Sequence, residues 1–269
     1  MLPNFIIPGP PKSGTTTLRI LLGRHHDIYM PDREIGFFNN DENYDQGLKW
    51  YEKFFDKWNG EKAVGEKTPS YFFHPKTPAR IKKCLPDAKI IFIFRNPVDR
   101  SYSHYWHDVR KAEIKESFEG VIKKEIKGEI QDFKRRYLEI STYIIHLKRW
   151  ERYFSKSQMF FLTLEGLNKE KLREVLKFLE VDENFDFGKL KKYNIGGAPR
   201  SRTLSKLSQH RFIKKIPYLS DFINRVINMR RGEYPAMKQG TRIYLLDYFK
   251  EYNKELERFT GIDLKMWEK

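Results

Sequence analysis

A short segment near the start of the chain carries residues suited to binding an anion. Gly9 and Gly14 lie five positions apart, and Lys12 lies between them. An apolar run at residues 4–8 precedes the segment and leucines at helical spacing follow it, so it joins a strand to a helix. Backbone N–H groups in such a turn, together with the helix N-terminus, can hold a phosphate-like group. An ordinary structural turn with incidental glycines is the alternative.

The position of Lys12 distinguishes this turn from the loop that binds nucleoside triphosphates. In that loop the lysine directly follows the second glycine, whereas Thr15 stands there in this chain. Phosphoryl-transfer enzymes also use an Asp to hold Mg²⁺, but the strand-like run at residues 89–94 ends in Arg95. An arginine at the carboxyl end of a strand contacts an anion directly. We therefore expect no metal, and transfer of a group less charged than phosphoryl, such as sulfuryl.

Strand-like and helix-like segments alternate along the chain. The strand-like segments are residues 4–8, 63–65, 89–94 and 158–164, and the helix-like segments are residues 15–24, 46–55, 78–84, 97–109, 137–154, 169–179 and a long amphipathic stretch from 245 to 259. Consecutive Ile and Phe residues at 89–94 are typical of a parallel strand buried on both faces. The pattern predicts an α/β protein with a three-layer P-loop-like fold, in which helices flank a central, mostly parallel sheet. We expect one domain, residues 1–269.

The composition favours a folded protein with an anionic partner. The chain has 52 Lys and Arg against 36 Asp and Glu, a net charge of +16, and its hydrophobic fraction of 39% is too high for a disordered chain. One cysteine, Cys84, excludes an internal disulfide and a Cys-rich zinc site. No apolar run approaches the roughly 20 residues that cross a bilayer. No leader-like segment precedes the first strand, so we expect a cytoplasmic protein.

One stretch of the chain concentrates positive charge. From Lys189 to Ser220 there are nine Lys or Arg and no acidic residue, and Gly196, Gly197 and Pro199 predict a loop in its middle. The stretch is either a solvated basic surface or a loop that closes over an anion. A nucleic-acid-binding protein that uses residues 189–215 is an alternative function, although the chain lacks a recognised nucleic-acid motif.

Four segments resemble motifs of the sulfotransferases that use 3′-phosphoadenosine 5′-phosphosulfate (PAPS). Residues 11–17 (Pro-Lys-Ser-Gly-Thr-Thr-Thr) are similar to their 5′-phosphosulfate loop, and residues 94–103 to their 3′-phosphate motif, an Arg followed eight residues later by a Ser. Residues 33–38 (Arg-Glu-Ile-Gly-Phe-Phe) and 66–72 (Glu-Lys-Thr-Pro-Ser-Tyr-Phe) resemble blocks of the heparan-sulfate-type sulfotransferases and their prokaryotic relatives. The four blocks occur in the family's order.

The resemblance implies in-line transfer of a sulfuryl group from PAPS to a hydroxyl or amine, with a saccharide as one candidate acceptor and adenosine 3′,5′-bisphosphate (PAP) as the product. It implies that Glu34 is the catalytic base and that Lys12 and Lys67 are the other catalytic residues. It also implies a set of donor-binding residues: Lys12, Ser13, Gly14, Thr15, Thr16 and Thr17 at the 5′ end, Arg95 and Ser103 at the 3′-phosphate, and Arg200 and Arg202 as secondary contacts from a loop at residues 194–206.

Several features of the sequence bear on alternatives to this assignment. Cytosolic sulfotransferases for phenols and steroids use a histidine base, but none of the candidate histidines lies in that family's motif: His25, His26, His74, His104 and His107. In the heparan-sulfate enzymes a cysteine-containing hairpin occupies the region of the loop at residues 194–206, and this chain lacks the second cysteine. A P-loop nucleotide kinase is disfavoured by the displaced lysine and the missing Asp. The aromatic residues at 50–55 belong either to the core or to an acceptor cleft. We expect a small-molecule or glycan acceptor, no metal, and neither nucleic acid nor membrane as a partner; the acceptor's identity and the oligomeric state are open.

Overall fold

The computed structural model of this chain describes residues 1–190, 197–208, 210–216, 219–223, 227–228 and 234–268. The chain forms two compact units. The first comprises Met1–Asn96, Thr142–Tyr193 and Glu251–Lys269, and the second comprises Pro97–Ser141 and Asn194–Lys250. In the described part of the chain, no helix has the length and apolarity that a bilayer-spanning segment requires. The expectation of one sulfotransferase domain over residues 1–269 stays a prediction.

The first unit is built on a five-stranded sheet with the order β2-β3-β1-β4-β5. Every pairing between its strands is parallel. The strands are β1 (Phe5–Gly9), β2 (Ile28–Tyr29), β3 (Ala63–Lys67), β4 (Lys89–Phe94) and β5 (Met159–Thr163). Because parallel strands need crossover connections, helices cover both faces of this sheet. The predicted three-layer α/β fold is confirmed.

Helices of the first unit pack on both sheet faces. They are α1 (Thr15–Leu22), α2 (Asp41–Asp45), α3 (Leu48–Glu52), α4 (Thr77–Cys84), α8 (Tyr143–Glu151) and α9 (Lys169–Phe178). On one face, leucines of α1 and α9 join Phe5, Ile7, Ile91 and Ile93 in a buried apolar core. On the other face, the Phe92 ring packs edge-on against Trp150 of α8. This double cover explains the unbroken apolar sequence of β4.

The second unit is helical. Its helices are α5 (Pro97–Arg110), α6 (Phe118–Ile126), α7 (Tyr137–Ser141), α10 (Arg202–Ser208), α11 (Arg211–Lys215), α12 (Leu219–Phe222) and the first half of α13 (Gln239–Thr260), which ends in the first unit. Arg100 is fully buried and donates hydrogen bonds to Ser141 Oγ (2.6 Å) and the Tyr137 carbonyl (2.8 Å). These bonds tie α5 to α7 and satisfy a charge that would otherwise be costly to bury.

Two predicted helices differ in extent from those in the structure, and one strand was not predicted. The helix expected at residues 137–154 is interrupted at Thr142, whose ψ of 68° is not helical. The helix expected at 46–55 begins only after Gly47, which has φ of 75°, and it ends as a 3-10 helix at Lys53–Phe55. Strand β2 was not predicted, because two residues are too short to show a period. The two helices were thus predicted correctly in type and wrongly in extent, whereas β2 was missed.

Candidate functional site

The turn after β1 has the backbone of an anion-binding loop. Lys12 and Gly14 have positive φ values of 70° and 92°, and α1 begins directly after Gly14. The first turn of α1 contains no acidic residue that would compete for its N–H groups. Glycine is favoured at position 14 chiefly by its φ of 92°, and a Cβ there would in addition lie 2.6 Å from Leu164 Cδ1. The left-handed residues and the helix N-terminus together form a concave set of backbone donors.

Ser13 supplies an independent indication that the turn binds a ligand. Its side chain is fully buried, and its Oγ has no hydrogen-bond partner in the structure. A buried hydroxyl without a partner costs free energy unless a ligand or water satisfies it. Thr15 and Thr17 are also buried, whereas Thr16 is partly exposed. The turn therefore fits the phosphate of a bound donor.

The parallel sheet brings two further cations to the edge where this turn lies. Ile7 of β1 is in register with Lys67, the last residue of β3. The segment after β3 continues along the turn, since Phe72 N–H donates to the Pro8 carbonyl at 3.0 Å. Arg95, next to the end of β4, donates from Nη1 to the Lys12 carbonyl at 3.4 Å. The structure thus brings Lys12, Lys67 and Arg95 to the same end of the sheet, and their roles in the site stay predictions.

Side chains distant in sequence fix the backbone at Arg95. The Tyr143 hydroxyl donates to the Arg95 carbonyl at 2.8 Å. Glu165 accepts from Asn96 N–H at 3.0 Å and from Trp267 Nε1 at 3.2 Å. Sequence reasoning did not identify Tyr143, Glu165 or Trp267 as positioning groups. No local signal could have done so, because 102 residues separate Glu165 from Trp267.

Glu34 and Lys67 form an ion pair beside the turn. Lys67 Nζ lies 2.5 Å from Glu34 Oε1; the lysine side chain is 6% exposed and the glutamate side chain 54% exposed. The buried lysine therefore orients a carboxylate that solvent and an acceptor can reach. Such a carboxylate can take a proton from an approaching hydroxyl or amine. The structure thus pairs the two predicted catalytic residues Glu34 and Lys67, and their catalytic roles stay predictions.

Glu66 is a second carboxyl that sequence reasoning did not single out. It is fully buried, and neither of its carboxylate oxygens is in hydrogen-bonding geometry with a partner. Burial raises the pKa of Glu66 to about 7, while the hydroxyls of Tyr71, Tyr51 and Thr68 oppose the rise and Glu34 adds to it. Burial likewise raises the pKa values of Tyr51 and Tyr71 well above the usual tyrosine range. The sequence carries no signal for this, because a strand glutamate is ordinarily solvated.

Protonation of Glu66 gives a testable pH dependence of stability. The pKa is about 7 in the folded protein against 4.5 for an ordinary Glu, so the folded state binds more protons than the unfolded state between these values. The contribution of Glu66 to the free energy of unfolding should therefore fall by about 3 kcal/mol as pH rises from 4.5 to 7. Urea unfolding at several pH values measures this fall. Burial also raises the pKa of Asp108 to about 6, so a smaller fall should remain in Glu66→Gln. An equal fall in Glu66→Gln and the wild-type protein would contradict the assignment.

The remaining predicted donor contacts belong to the second unit. Ser103 lies on α5, is buried, and its Oγ lies 3.3 Å from the Tyr234 hydroxyl. Arg200 is exposed, and its backbone N–H donates to the Asn228 carbonyl at 2.6 Å. Arg202 begins α10, and its side chain lies outside the described part of the structure, as do residues 194–196 of the predicted loop. Their contacts with a donor stay predictions.

The histidines are occupied by other contacts. His104 Nδ1 lies 3.1 Å from Arg100 Nη1, and His107 Nδ1 lies 3.0 Å from Arg110 Nη2. Among the described residues, His25, His26 and Asp27 form the one cluster with three potential metal ligands. Both ring nitrogens of His25 already have backbone partners, Asp27 N–H at 3.0 Å and the Asp182 carbonyl at 2.8 Å. This cluster therefore does not present a set of ligands to a cation.

Comparison with known proteins identifies the family. The model of the sulfotransferase domain matches residues 2–216. Over 98% of its length the chain is 31% identical to bifunctional heparan sulfate N-deacetylase/N-sulfotransferase 1 of Xenopus laevis, of which it covers 31%. Over 71% of its length it is 34% identical to heparan sulfate glucosamine 3-O-sulfotransferase 3B1 of Homo sapiens, of which it covers 51%. The chain thus spans about a third to a half of the length of these relatives.

A solved structure agrees with the sequence comparison. A sulfotransferase from Alicyclobacillus acidocaldarius aligns with a TM-score of 0.74 and 26% identity, covering the whole of both chains. The turn after β1, the cations at the sheet edge and the absence of a nucleoside-triphosphate motif all agree with this match. The match therefore favours a sulfotransferase over a nucleotide kinase and over a nucleic-acid-binding protein. The chain belongs to the sulfotransferase family, transferases that move a sulfuryl group from the donor PAPS to an acceptor and release PAP.

Proposed function

We propose that this chain sulfates a hydroxyl or amine of a saccharide, with Glu34 as the general base. The observation that carries the proposal is the ion pair between Glu34 and Lys67 beside the anion-binding turn. A base that is half exposed can meet an acceptor, while its buried partner keeps it next to the donor phosphate. Two relatives named for heparan sulfate sulfation support a saccharide as the acceptor.

The proposed reaction is an in-line displacement at sulfur. The acceptor oxygen or nitrogen forms a bond to sulfur as Glu34 removes its proton. The bond from sulfur to the 5′-phosphate oxygen of PAPS breaks, and its electron pair leaves with PAP. Lys12 neutralises the negative charge that develops on this oxygen, while Lys67 stabilises the transferring sulfuryl group. Atoms and charge balance without a further reactant.

Donor binding follows from the same turn. Ser13, Gly14, Thr15 and Thr16 offer hydroxyl and backbone donors to the 5′-phosphate, with Thr17 behind them in α1. Arg95 and Ser103 would bind the 3′-phosphate, and Arg200 and Arg202 would add secondary contacts. The buried, unpartnered Oγ of Ser13 supports this assignment.

An aromatic and cationic surface beside Glu34 suits a sugar carrying negative charge. The Arg33 guanidinium lies 4.3 Å from the centre of the Phe54 ring. Trp50 packs edge-on against Phe54 with 4.7 Å between ring centres, and both rings are partly exposed. Aromatic faces pack against the apolar faces of sugars, and arginine binds sulfate and carboxylate groups. Tyr51 and Phe55 of the same segment are buried core residues instead.

Calorimetric titration with nucleotides tests the donor site. PAP should bind without Mg²⁺, and AMP should bind at least about tenfold more weakly, because it lacks the 3′-phosphate that Arg95 and Ser103 are proposed to hold. ATP with Mg²⁺ is the comparison ligand. Preference for Mg-ATP over PAP would contradict the proposal. Transfer of ³⁵S from PAPS to a panel of N-unsubstituted and O-unsubstituted saccharides then identifies the acceptor group.

The expected cytoplasmic location stays a prediction. Fractionation of the source cells, followed by detection of the protein in the cytoplasmic fraction, tests it directly.

A further inference from the structure

Glu66 lies close enough to the segment that carries Glu34 for the Glu34 charge to raise its pKa. Strand β3 is buried along its whole length, and Glu66 is in register with Ile6 of β1. The groups that face its carboxyl are the hydroxyls of Tyr51 on α3, Tyr71 on a 3-10 helix (Pro69–Tyr71), and Thr68. Glu34 is the charged group that acts on it, and Cys84 acts on the neighbouring Tyr51.

Two of these hydroxyls also contact the Glu34 segment, residues 34–38. The Phe38 N–H donates to the Tyr71 hydroxyl at 3.2 Å, and the Gly36 N–H donates to Thr68 Oγ1 at 3.4 Å. A hydroxyl that accepts from an N–H keeps its own proton available to donate. Both hydroxyls lower the pKa of the buried Glu66 carboxyl, and neither of its oxygens has a hydrogen-bond partner that would compete with them.

The Tyr51 hydroxyl differs from these two. It faces Glu66, yet it has no hydrogen-bond partner, and its link to residues 34–38 is ring packing. The Phe37 ring stacks on the Tyr51 ring with 4.5 Å between centres and 13° between planes. Tyr51 and Tyr71 therefore make a matched pair: both present a hydroxyl to Glu66, and the Tyr71 hydroxyl also accepts a bond from the backbone of the Glu34 segment.

We propose, building on the proposed role of Glu34 as the base, that Glu66 is a positioning residue whose carboxylate orients the Tyr71 and Thr68 hydroxyls and thereby holds the Glu34 segment in place. Two sets of contacts hold this segment: hydrogen bonds from the backbone of Gly36 and Phe38, and the ion pair between Glu34 and Lys67. Small displacements of a catalytic group are costly to rate, so a fixed segment matters for turnover.

The pH profile of kcat tests this role. Because the pKa of Glu66 is about 7, its carboxylate becomes protonated as pH falls through neutrality. The protonated carboxyl is a weaker acceptor of hydrogen bonds from the Tyr71 and Thr68 hydroxyls. The wild-type protein should show an acid limb with an apparent pKa near 7. Glu66→Gln should lower kcat about tenfold at pH 8 and remove this limb, while the Kd for PAP stays within about twofold. A merely structural Glu66 would leave the shape of the profile unchanged.

The tyrosine pair gives a second test that does not require Glu66 to be replaced. Tyr71→Phe should lower kcat about tenfold and leave the Kd for PAP unchanged, since it deletes the hydroxyl that links carboxyl and segment. Tyr51→Phe, which deletes a hydroxyl facing the same carboxyl, should cost clearly less. Equal losses in the two variants, or an acid limb near pH 7 that persists in Glu66→Gln, would overturn the positioning role. If Glu66→Gln does not fold, the tyrosine pair decides.

One further variant distinguishes the positioning role of Glu66 from the proposed role of Glu34 as the base. Glu34→Gln should be inactive if Glu34 is the base. Full turnover in Glu34→Gln would remove the base assignment itself. Loss of turnover there, together with unaltered kcat and pH profiles in Glu66→Gln and Tyr71→Phe, would leave the base in place and remove only the positioning role.

Discussion

Replacement of Glu34 with Gln is expected to lower kcat for sulfuryl transfer by about 10²–10⁴-fold, the usual contribution of a general base. The amide keeps the size of the side chain but cannot take the acceptor's proton. It can still accept a hydrogen bond from Lys67, whose buried side chain contacts Oε1 in the wild-type protein. Because the anion-binding turn is untouched, the Kd for PAP should stay within about twofold of the wild-type value.

Initial rates of ³⁵S transfer and calorimetry with PAP measure the two quantities. Glu42→Gln is the matched control, since Glu42 is an exposed glutamate of α2 in the same unit. It should retain wild-type rates. Wild-type turnover in Glu34→Gln would show that another group takes the proton. Weak PAP binding in that variant would instead place Glu34 in the donor site.

Replacement of Lys12 with Gln should lower kcat by about 10²–10³-fold, the cost of removing one group that stabilises developing charge. The expected loss is specific to the transition state, because charge accumulates on the bridging oxygen only as the bond to sulfur breaks. Lys12 is already held at a positive φ of 70° in the turn, with its carbonyl accepting from Arg95. The backbone donors therefore remain, and KM for PAPS should change far less than kcat.

Steady-state kinetics at varied PAPS concentration separates these parameters. Lys83→Gln, which removes an exposed charge from α4, controls for the lower net charge. An equal fall in kcat in both variants would assign the effect to long-range electrostatics. A rise in KM with kcat unchanged would make Lys12 a group that binds donor and transition state alike.

The sequence alone identified the parts of this protein whose chemistry is local. The turn at residues 9–16 was recognisable because glycine, lysine and hydroxyl residues must follow one another closely to surround a phosphate. Strand β4 was recognisable because its residues 90–94 are all apolar, as expected of a strand buried on both faces. The alternation of such strands with helices then fixed the fold class, since parallel strands require covering helices.

Some residues were assigned by resemblance and acquired a physical basis only in the structure. Glu34 is one of 36 acidic residues, and Lys67 is one of 52 Lys and Arg. Nothing in their immediate sequence predicts that they form an ion pair across 33 positions. The register of β3 against β1 brings Lys67 to the anion-binding turn, and burial then leaves its charge paired with Glu34.

The groups that surround and position the site residues can be recognised only in the tertiary structure. Glu66, Tyr143 and Glu165 look like ordinary polar residues in sequence, yet one is buried without a hydrogen-bond partner and two fix the backbone near Arg95. The physical reason is that burial and hydrogen-bond partners depend on the order and register of strands, which bring distant segments together. Local patterns encode the period of an element and the chemistry of a turn, but a carboxyl's environment exists only after the sheet has formed.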